Sequence, residues 1–544
     1  MASSTSTSPS STGSMPDAAA LIAILVIGLG ALAVGLVAAP YKAFDLDRFF
    51  VPKELALHVT ALLLGPLALV RRRRIGYAGV DVLLLLFLAL SLLSAVFAAN
   101  HWLAARSLAV TWSSLVVFWS ATAVAAGRPR RERAVVAVLV FAVVAVAATA
   151  LAQAYGADSP YFSLNRAPGG TLGNRNFVAH LAAIATPLLI VAALAARRRI
   201  PTLVATLALA FVSAILVLSR TRAAWLALAA CMLVLLPGVW RARARWRVAG
   251  MRRRLLLIAV VVTGTVGAAV FLPNALDWRS RSPYLDSVKS VADYTGGSGR
   301  GRLVQYTNTL KLALHHPLLG VGPGNWPVEY PATVKPTDPS LNGDTGMTDN
   351  PWPSSDWMAF ASERGLAAVA LLALALLGLL GEAGRQMVRA AELDDYLLGL
   401  ALAGVVIATA IVGVFDAVLL LPAPALVVFA ALGTLRSPPE RRALPVSRRV
   451  HAALLAGLVV VGAGVAARSA YMLDAMRQYE HGALAAAARE DPGSYRIQMR
   501  LAESAQARGR CDLVRTHAEA ARALYPHAPA PRRLLAACAR SGTR

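Results

Sequence analysis

Four arginines stand where a chain of apolar runs rarely keeps them. Arg220 and Arg222, in "LVLSRTRAAWLALAA", fall in a connection of a few residues between two such runs; Arg300 and Arg302, in "SGRGRLV", open a helical stretch. A cation at the end of an apolar span is costly unless it lines a polar cavity or binds something. The planar fork of arginine suits phosphate and pyrophosphate. With Ser219, Arg220 and Arg222 make a compact cationic mouth; the competing reading for Arg222 is snorkelling to the interface.

Three further stretches carry polar groups. In "GGTLGNRNFVAHL" (169–181), Gly173, Asn174, Arg175 and Asn176 precede an apolar run. Asn174 and Asn176 either cap its helix or bind sugar hydroxyls, and His180, one turn in, reads as a core residue with its hydrogen bonds satisfied. In "NPWPSSDWMAFASERGLAAVALLAL" (350–374), Asp356 stands at a helix start, where the dipole favours a negative charge, beside Ser354 and Ser355. Glu363, two turns in, wants a partner, and an arginine of the mouth is the natural one. In "HHPLLGVGPGNW" (315–326), the glycines raise a nucleotide loop. That reading fails, because the stretch lacks the Lys-Ser/Thr of a P-loop and the βαβ setting of a dinucleotide fingerprint.

These groups must be positioned by membrane helices. The chain has 544 residues, 57% of them hydrophobic, far above ordinary globular composition. About thirteen apolar runs are long enough for a bilayer, near 17–39, 54–70, 79–98, 104–126, 133–154, 177–196, 201–218, 223–239, 255–273, 357–380, 397–415, 417–435 and 450–468. The net charge of +25 comes largely from clusters between runs, at 71–74, 128–133, 197–199, 241–254 and 436–449. This is the positive-inside pattern, not a nucleic-acid footprint. It puts those loops and the N-terminus in the cytoplasm, and 40–53, 155–176, 219–222, 274–355 and the C-terminus outside.

The resulting fold class is all-α: a polytopic membrane protein with a large outer loop and a small C-terminal helical domain. Residues 1–16 are Ser/Thr-rich, read as disordered rather than as a signal. Residues 17–273 and 356–470 form the membrane block, 274–355 a loop too long for a mere connector, and 471–544 a soluble tail. Within the loop, Leu303, Tyr306, Leu310, Ala313 and Leu314 have helical spacing. That helix should lie on the membrane domain as a lid, end near Pro317, and lead through the glycine turn to Trp326. In the tail, Pro492 and Pro526 lie 34 residues apart. Between them Leu501, Ala502, Ala505, Gly509, Val514, Ala518 and Ala521 resemble a tetratricopeptide repeat, with an Ala-rich helical hairpin as the plainer reading. Cys231 reads as a core residue. Cys511 and Cys538 fall in a compartment that permits a disulfide.

Taken together, "GTLGNRN", "SRTRAAWLAL" and "GRLVQYTNTLKLALHHPLLGVGPGNW" resemble the O-antigen ligase/polymerase superfamily of bacterial inner-membrane glycosyltransferases, over roughly 165–380. The resemblance implies transfer of a glycan from undecaprenyl pyrophosphate to an acceptor hydroxyl on the periplasmic face, without metal or other cofactor. It implies that Arg220 and Arg302 bind the pyrophosphate, with Arg222 and Arg300 as further candidates. Asn174, Asn176 and Asn325 are candidate substrate contacts. The family's His after the lid is absent: Ser354–Ser355 stand at its place. Substitutes on the same surface are Asp356 first, then His316, His315 and Glu363.

The partners implied are the lipid-linked glycan, membrane lipids, an acceptor (lipid core, second repeat unit or protein) and a protein docked by the tail. A repeat-unit polymerase and a protein O-oligosaccharyltransferase fit the same motifs. A non-catalytic scaffold would explain the missing His but not the arginines. A flippase would need charges along a through-path, whereas these cluster on one face.

Overall fold

The computed structural model describes residues 15–70, 74–163, 165–246, 250–278, 280, 282–289, 297–343, 345–436 and 442–541. The segment expected to be disordered, apart from Met15 and Pro16, lies outside the described residues, as do parts of the basic runs at 71–74, 241–254 and 436–449.

Long apolar runs become long helices, because a helix satisfies every backbone group internally where no water competes. Nine come first: α1 Asp17–Leu36, α2 Asp47–Leu69, α3 Gly79–Val96, α4 His101–Ala125, α5 Pro129–Ala154, α6 Arg175–Ala195, α7 Arg199–Leu218, α8 Arg222–Trp246 and α9 Met251–Phe271. The outer loop holds α10 Pro283–Lys289, α11 Gly297–His315 and α12 Trp326–Thr333, followed by α13 Asp356–Arg364. Then come α14 Leu366–Arg389, α15 Leu393–Phe415, the short α16 Pro422–Leu435 and α17 Arg448–Glu480. The tail is α18 Leu484–Glu490, α19 Tyr495–Ala507, α20 Cys511–Leu524 and α21 Pro529–Ser541. Among the described residues twelve helices are long and apolar enough to cross a membrane, which makes this an all-α polytopic membrane protein.

Two expected spans are built differently. The run 417–435 yields only the 14-residue α16, about 21 Å long against an apolar core of about 30 Å. Residues Asp416–Leu421 are unwound ahead of Pro422 and Pro424 and complete the passage. Unwound backbone at such depth survives only where protein satisfies it. Here the Asp356 carboxylate does so, accepting the backbone N–H groups of Val418 and Leu419 at 3.0 Å. The run 357–380 is broken at Gly365 (φ 85°) into α13 and α14.

The loops sort to two ends. At one, β1 (Arg74–Tyr77) pairs antiparallel with β2 (Arg442–Pro445), the only strand pair among the described residues. Nearby, buried Arg436 is held between Asp81 (2.6 Å) and Glu382 (3.0 Å). At the other end sit the lid and the tail. The lid has its own core of Leu312, Val321, Trp326 and Tyr330. Its helix α11 lies on α13 as expected, but through a different face. Gln305, Thr309, Leu312 and Ala313 are buried, whereas Leu303, Leu310 and Leu314 are 43–57% exposed. Polar partners at Ser354 and the 338–340 turn claim the inner face, so the leucine stripe turns outward.

The tail packs on this same end. Its hairpins pair through Ala502, Ala505, Val514, Ala518 and Ala521, all buried. Cys511 and Cys538 form a disulfide across α20 and α21, with Cα atoms 5.5 Å apart. Met476 and Ile497 pack on Phe44 and Val51 of the membrane block. Cys231 is buried and donates to the Gly404 carbonyl oxygen.

Candidate functional site

Two arginines meet over one indole. Arg175 opens α6 and Arg220 ends the α7–α8 turn, and their guanidinium carbons lie 5.0 and 4.7 Å from the Trp278 ring centroid. The residue after each arginine fixes this arrangement. The Thr221 hydroxyl donates to the Asn176 side-chain oxygen at 3.2 Å, tying the α6 N-terminus to the turn. Asn176 in turn donates to Asp416 at 3.4 Å. Arg220 has φ 53°, a left-handed backbone uncommon outside glycine, which turns its side chain outward. Its Nε donates to the Ser287 hydroxyl of α10 at 2.8 Å. No Nη contact of Arg220 joins another described residue. Burial lowers its pKa while Asp286 opposes that shift; arginine stays charged regardless.

The lid brings a third cation to this end. The Tyr306 hydroxyl lies 2.6 Å from the Ser354 carbonyl oxygen and 2.7 Å from that of Val414, and Gln305 accepts the Ser354 N–H at 2.7 Å. Arg302 is one turn from Tyr306 on the same helix face. Its charge acts on His180 in α6, as does that of Asp416. Arg300, two positions from Arg302, projects to the opposite side and is exposed. Arg222 is half-buried at the first position of α8. Helix geometry thus separates Arg300 from Arg302, and Arg220 lies with Arg175 over Trp278.

Several expected site residues have structural work instead. Asn174 caps α6, accepting the Asn176 N–H at 3.0 Å. Asn325 is fully buried and exchanges hydrogen bonds with the Asn100 backbone, 2.7 Å to its N–H and 3.1 Å to its carbonyl. Asp356 is 2% exposed and bound to the Val418 and Leu419 amides rather than aimed at a reacting group. Glu363 does not pair with an arginine of the mouth. Its carboxylate accepts the N–H groups of Gly324 (2.8 Å) and Trp326 (3.4 Å). His315 and His316 are exposed at the far end of α11, about 20 Å along the axis from Arg302. Ser354 does face the lid, through its backbone.

The glycine turn is a packing joint. Val321 and Gly322 donate to the carbonyls of Ser362 and Glu363, and Leu366 donates to that of Pro317, each at 2.9 Å. Glu363 then grips the turn from below.

His180 departs most from its sequence reading. It is 1% exposed, and neither ring nitrogen has a hydrogen-bond partner. Its Nδ1 lies 4.0 Å from the Asp416 carboxylate. Leaving such a group unpaired costs roughly 1–3 kcal/mol, so the arrangement asks for a reason. Of this site, sequence reasoning passed over Trp278, Ser287 and Asp416, and gave Arg175 no role. The only local signal was the position of Arg175 between two singled-out asparagines.

For Asp356, the expected result of substitution is structural. Asp356→Ala leaves two buried amides unpaired and should destabilise the protein by about 2–4 kcal/mol, read as a fall in thermal unfolding temperature. A loss of turnover at unchanged stability would contradict this.

The candidate site is therefore a cationic, aromatic-backed surface at the end of an all-α membrane bundle that also carries the lid. A family model described as O-antigen ligase matches residues 207–373, from α7 through the lid into α14. The match covers less than a third of the chain and includes Arg220, Arg222, Arg300 and Arg302, while "GTLGNRN" lies outside it. It supports the resemblance to the O-antigen ligase superfamily, and thus an O-antigen ligase/polymerase-type membrane glycosyltransferase. No curated protein matches the chain.

Proposed function

We propose that this protein transfers a glycan from undecaprenyl pyrophosphate to an acceptor hydroxyl at the periplasmic face of a bacterial inner membrane. The observation that carries the reading is the joint seating of Arg175 and Arg220 on Trp278, with Arg302 reaching the same end from the lid. Two adjacent phosphates need two or more forked cations held apart in fixed positions. The Asn176–Thr221 bond holds two of them so.

In the reaction, the acceptor oxygen forms a bond to the sugar C1 as the bond from C1 to the phosphate oxygen breaks. The electron pair leaves on the diphosphate, where the arginines stabilise it. Donors preorganised for developing charge supply much of the rate enhancement, and correct placement of the acceptor supplies more. The indole gives the arginines an apolar, aromatic seat that favours the cation.

The tail serves as a brace for the lid in this reading. Asn100 donates to the Leu524 carbonyl and also holds Asn325, so the tail, the α3–α4 connection and the glycine turn form one chain of bonds. His527 lies 3.5 Å from Glu329 of α12. The basic β1–β2 end faces the cytoplasm, as its charge favours.

The test is transfer from a purified undecaprenyl-pyrophosphate glycan to lipid-core, glycan and protein acceptors by the protein in nanodiscs. Trp278→Leu should weaken donor binding about tenfold while the fold persists. Unchanged binding, measured by displacement of undecaprenyl pyrophosphate, would argue against an aromatic-backed diphosphate seat. Product length separates a ligase from a polymerase.

A further inference from the structure

The arginines serve the leaving group and leave one step unserved, removal of the acceptor's proton. None of the expected bases stands at the arginine site with a free acceptor. Asp356 and Glu363 are bound to backbone amides, and His316 lies at the wrong end of α11. Ser354 cannot act as a base of ordinary strength.

We infer that His180 is the proton acceptor of this site and that Asp416 orients it. His180 follows Asn176 by one turn, so both share one face of α6. Asn176 and Asp416 are bonded, and Asp416 lies 4.0 Å from His180 Nδ1. Asp416 is itself fixed, because its other oxygen accepts the Ala417 N–H at 2.9 Å. The lid is anchored at Val414, two residues before Asp416. The pair therefore lies within electrostatic reach of Arg302 and beside the residues that seat Arg175 and Arg220. Asp416 from the α15–α16 connection and Arg302 from the lid are the charged groups that act on the imidazole. This imidazole is hydrogen bonded on neither side, whereas a histidine used for packing normally has both nitrogens satisfied.

The chemistry closes. The neutral ring carries one N–H, directed at Asp416, and one bare nitrogen. The acceptor O–H proton passes to that nitrogen as the oxygen bonds C1 and the lipid diphosphate leaves with the electron pair. Asp416 stabilises the resulting imidazolium, which returns its proton to water. At 1% exposure the ring meets an acceptor only when the packing over it opens.

This inference rests on the reading given under Proposed function, and the experiment separates the two. The full-length protein in nanodiscs is assayed for transfer from the undecaprenyl-pyrophosphate glycan across pH 3.5–9, because burial moves the His180 limb to the acid side of an ordinary imidazole. Binding of undecaprenyl pyrophosphate and the thermal unfolding temperature are measured in parallel. His180→Gln should lower kcat about 100-fold or more and abolish the acidic limb of the profile. Binding should stay within about threefold of the original and the unfolding temperature should hold. Asp416→Asn should lower kcat about tenfold and move the limb to lower pH, because a neutral amide no longer holds the imidazolium. Should His180→Gln fail to fold, Asp416→Asn decides the question through that limb. An active protein whose kcat and limb survive His180→Gln overturns the role of His180 alone. So does a limb unmoved in Asp416→Asn, or a loss of binding and activity together. A protein that neither binds undecaprenyl pyrophosphate nor transfers its glycan overturns both readings.

Discussion

Arg220→Ala is expected to reduce glycan transfer about 100-fold or more while the helices still insert and the lid still docks. Removing one preorganised donor from a site of developing negative charge costs about 2.7–4 kcal/mol. Arg220 contacts the protein through Ser287 and Trp278, so the fold loses one hydrogen bond and a stacking contact. Arg220→Lys should recover little, because a point charge cannot bridge two phosphate oxygens as a fork does. Arg302→Ala should behave similarly, whereas Arg300→Ala should fall within a few-fold of the original protein, since Arg300 faces away. Transfer assays on the four variants check this ordering. Full activity in both Arg220→Ala and Arg302→Ala would remove the diphosphate role.

The second large effect is on stability. Gly320→Ala is expected to lower it by about 3 kcal/mol or more, with loss of the docked lid. Gly320 has φ 66°, and an added Cβ would lie 2.3 Å from the Glu363 carbonyl carbon and 2.5 Å from the Arg364 nitrogen. Those atoms are backbone and cannot swing aside. The crossing is reciprocal, since a Cβ on Gly365 would meet the Leu318 carbonyl oxygen at 2.2 Å. Gly301→Ala is the control, with no neighbour within 4 Å of its Cβ, and should change stability little. Thermal unfolding and limited proteolysis of the lid report both outcomes. A protease-resistant lid in Gly320→Ala would show that this crossing is not what holds it.

The glycine turn also shows what kind of information a sequence carries. Its lack of Lys and Ser/Thr already excluded a nucleotide loop, and its glycines already suggested a shaped backbone. What they were shaped against was not visible. The partner segment, Ser362–Gly365 at the end of α13, is some forty residues away, and no local pattern links them. Glu363 illustrates the same limit. A carboxylate two turns into an apolar helix had to be satisfied, and that was legible. Whether an arginine or a pair of amides satisfied it depended on which loop came within 3 Å.

The all-α polytopic architecture, the gathering of basic loops at one end, a helix in the outer loop and the expectation of a cationic mouth were determined by the sequence itself. Each follows from local physics: a bilayer-length apolar run must be helical, positive loops resist translocation, and a charged span end needs a purpose. The tertiary structure alone decided which polar groups form a site. Arg175 and Arg220 became neighbours because one side-chain bond joins two helix termini 45 residues apart. Asp356 became a cap because Pro422 and Pro424 leave six residues unwound beside it. His180 became a buried, unpaired ring beside Asp416 because two span ends 236 residues apart converge there. Composition and periodicity act within one helix, whereas a side chain's partners are set by how helices pack, and that is where the candidate site was decided.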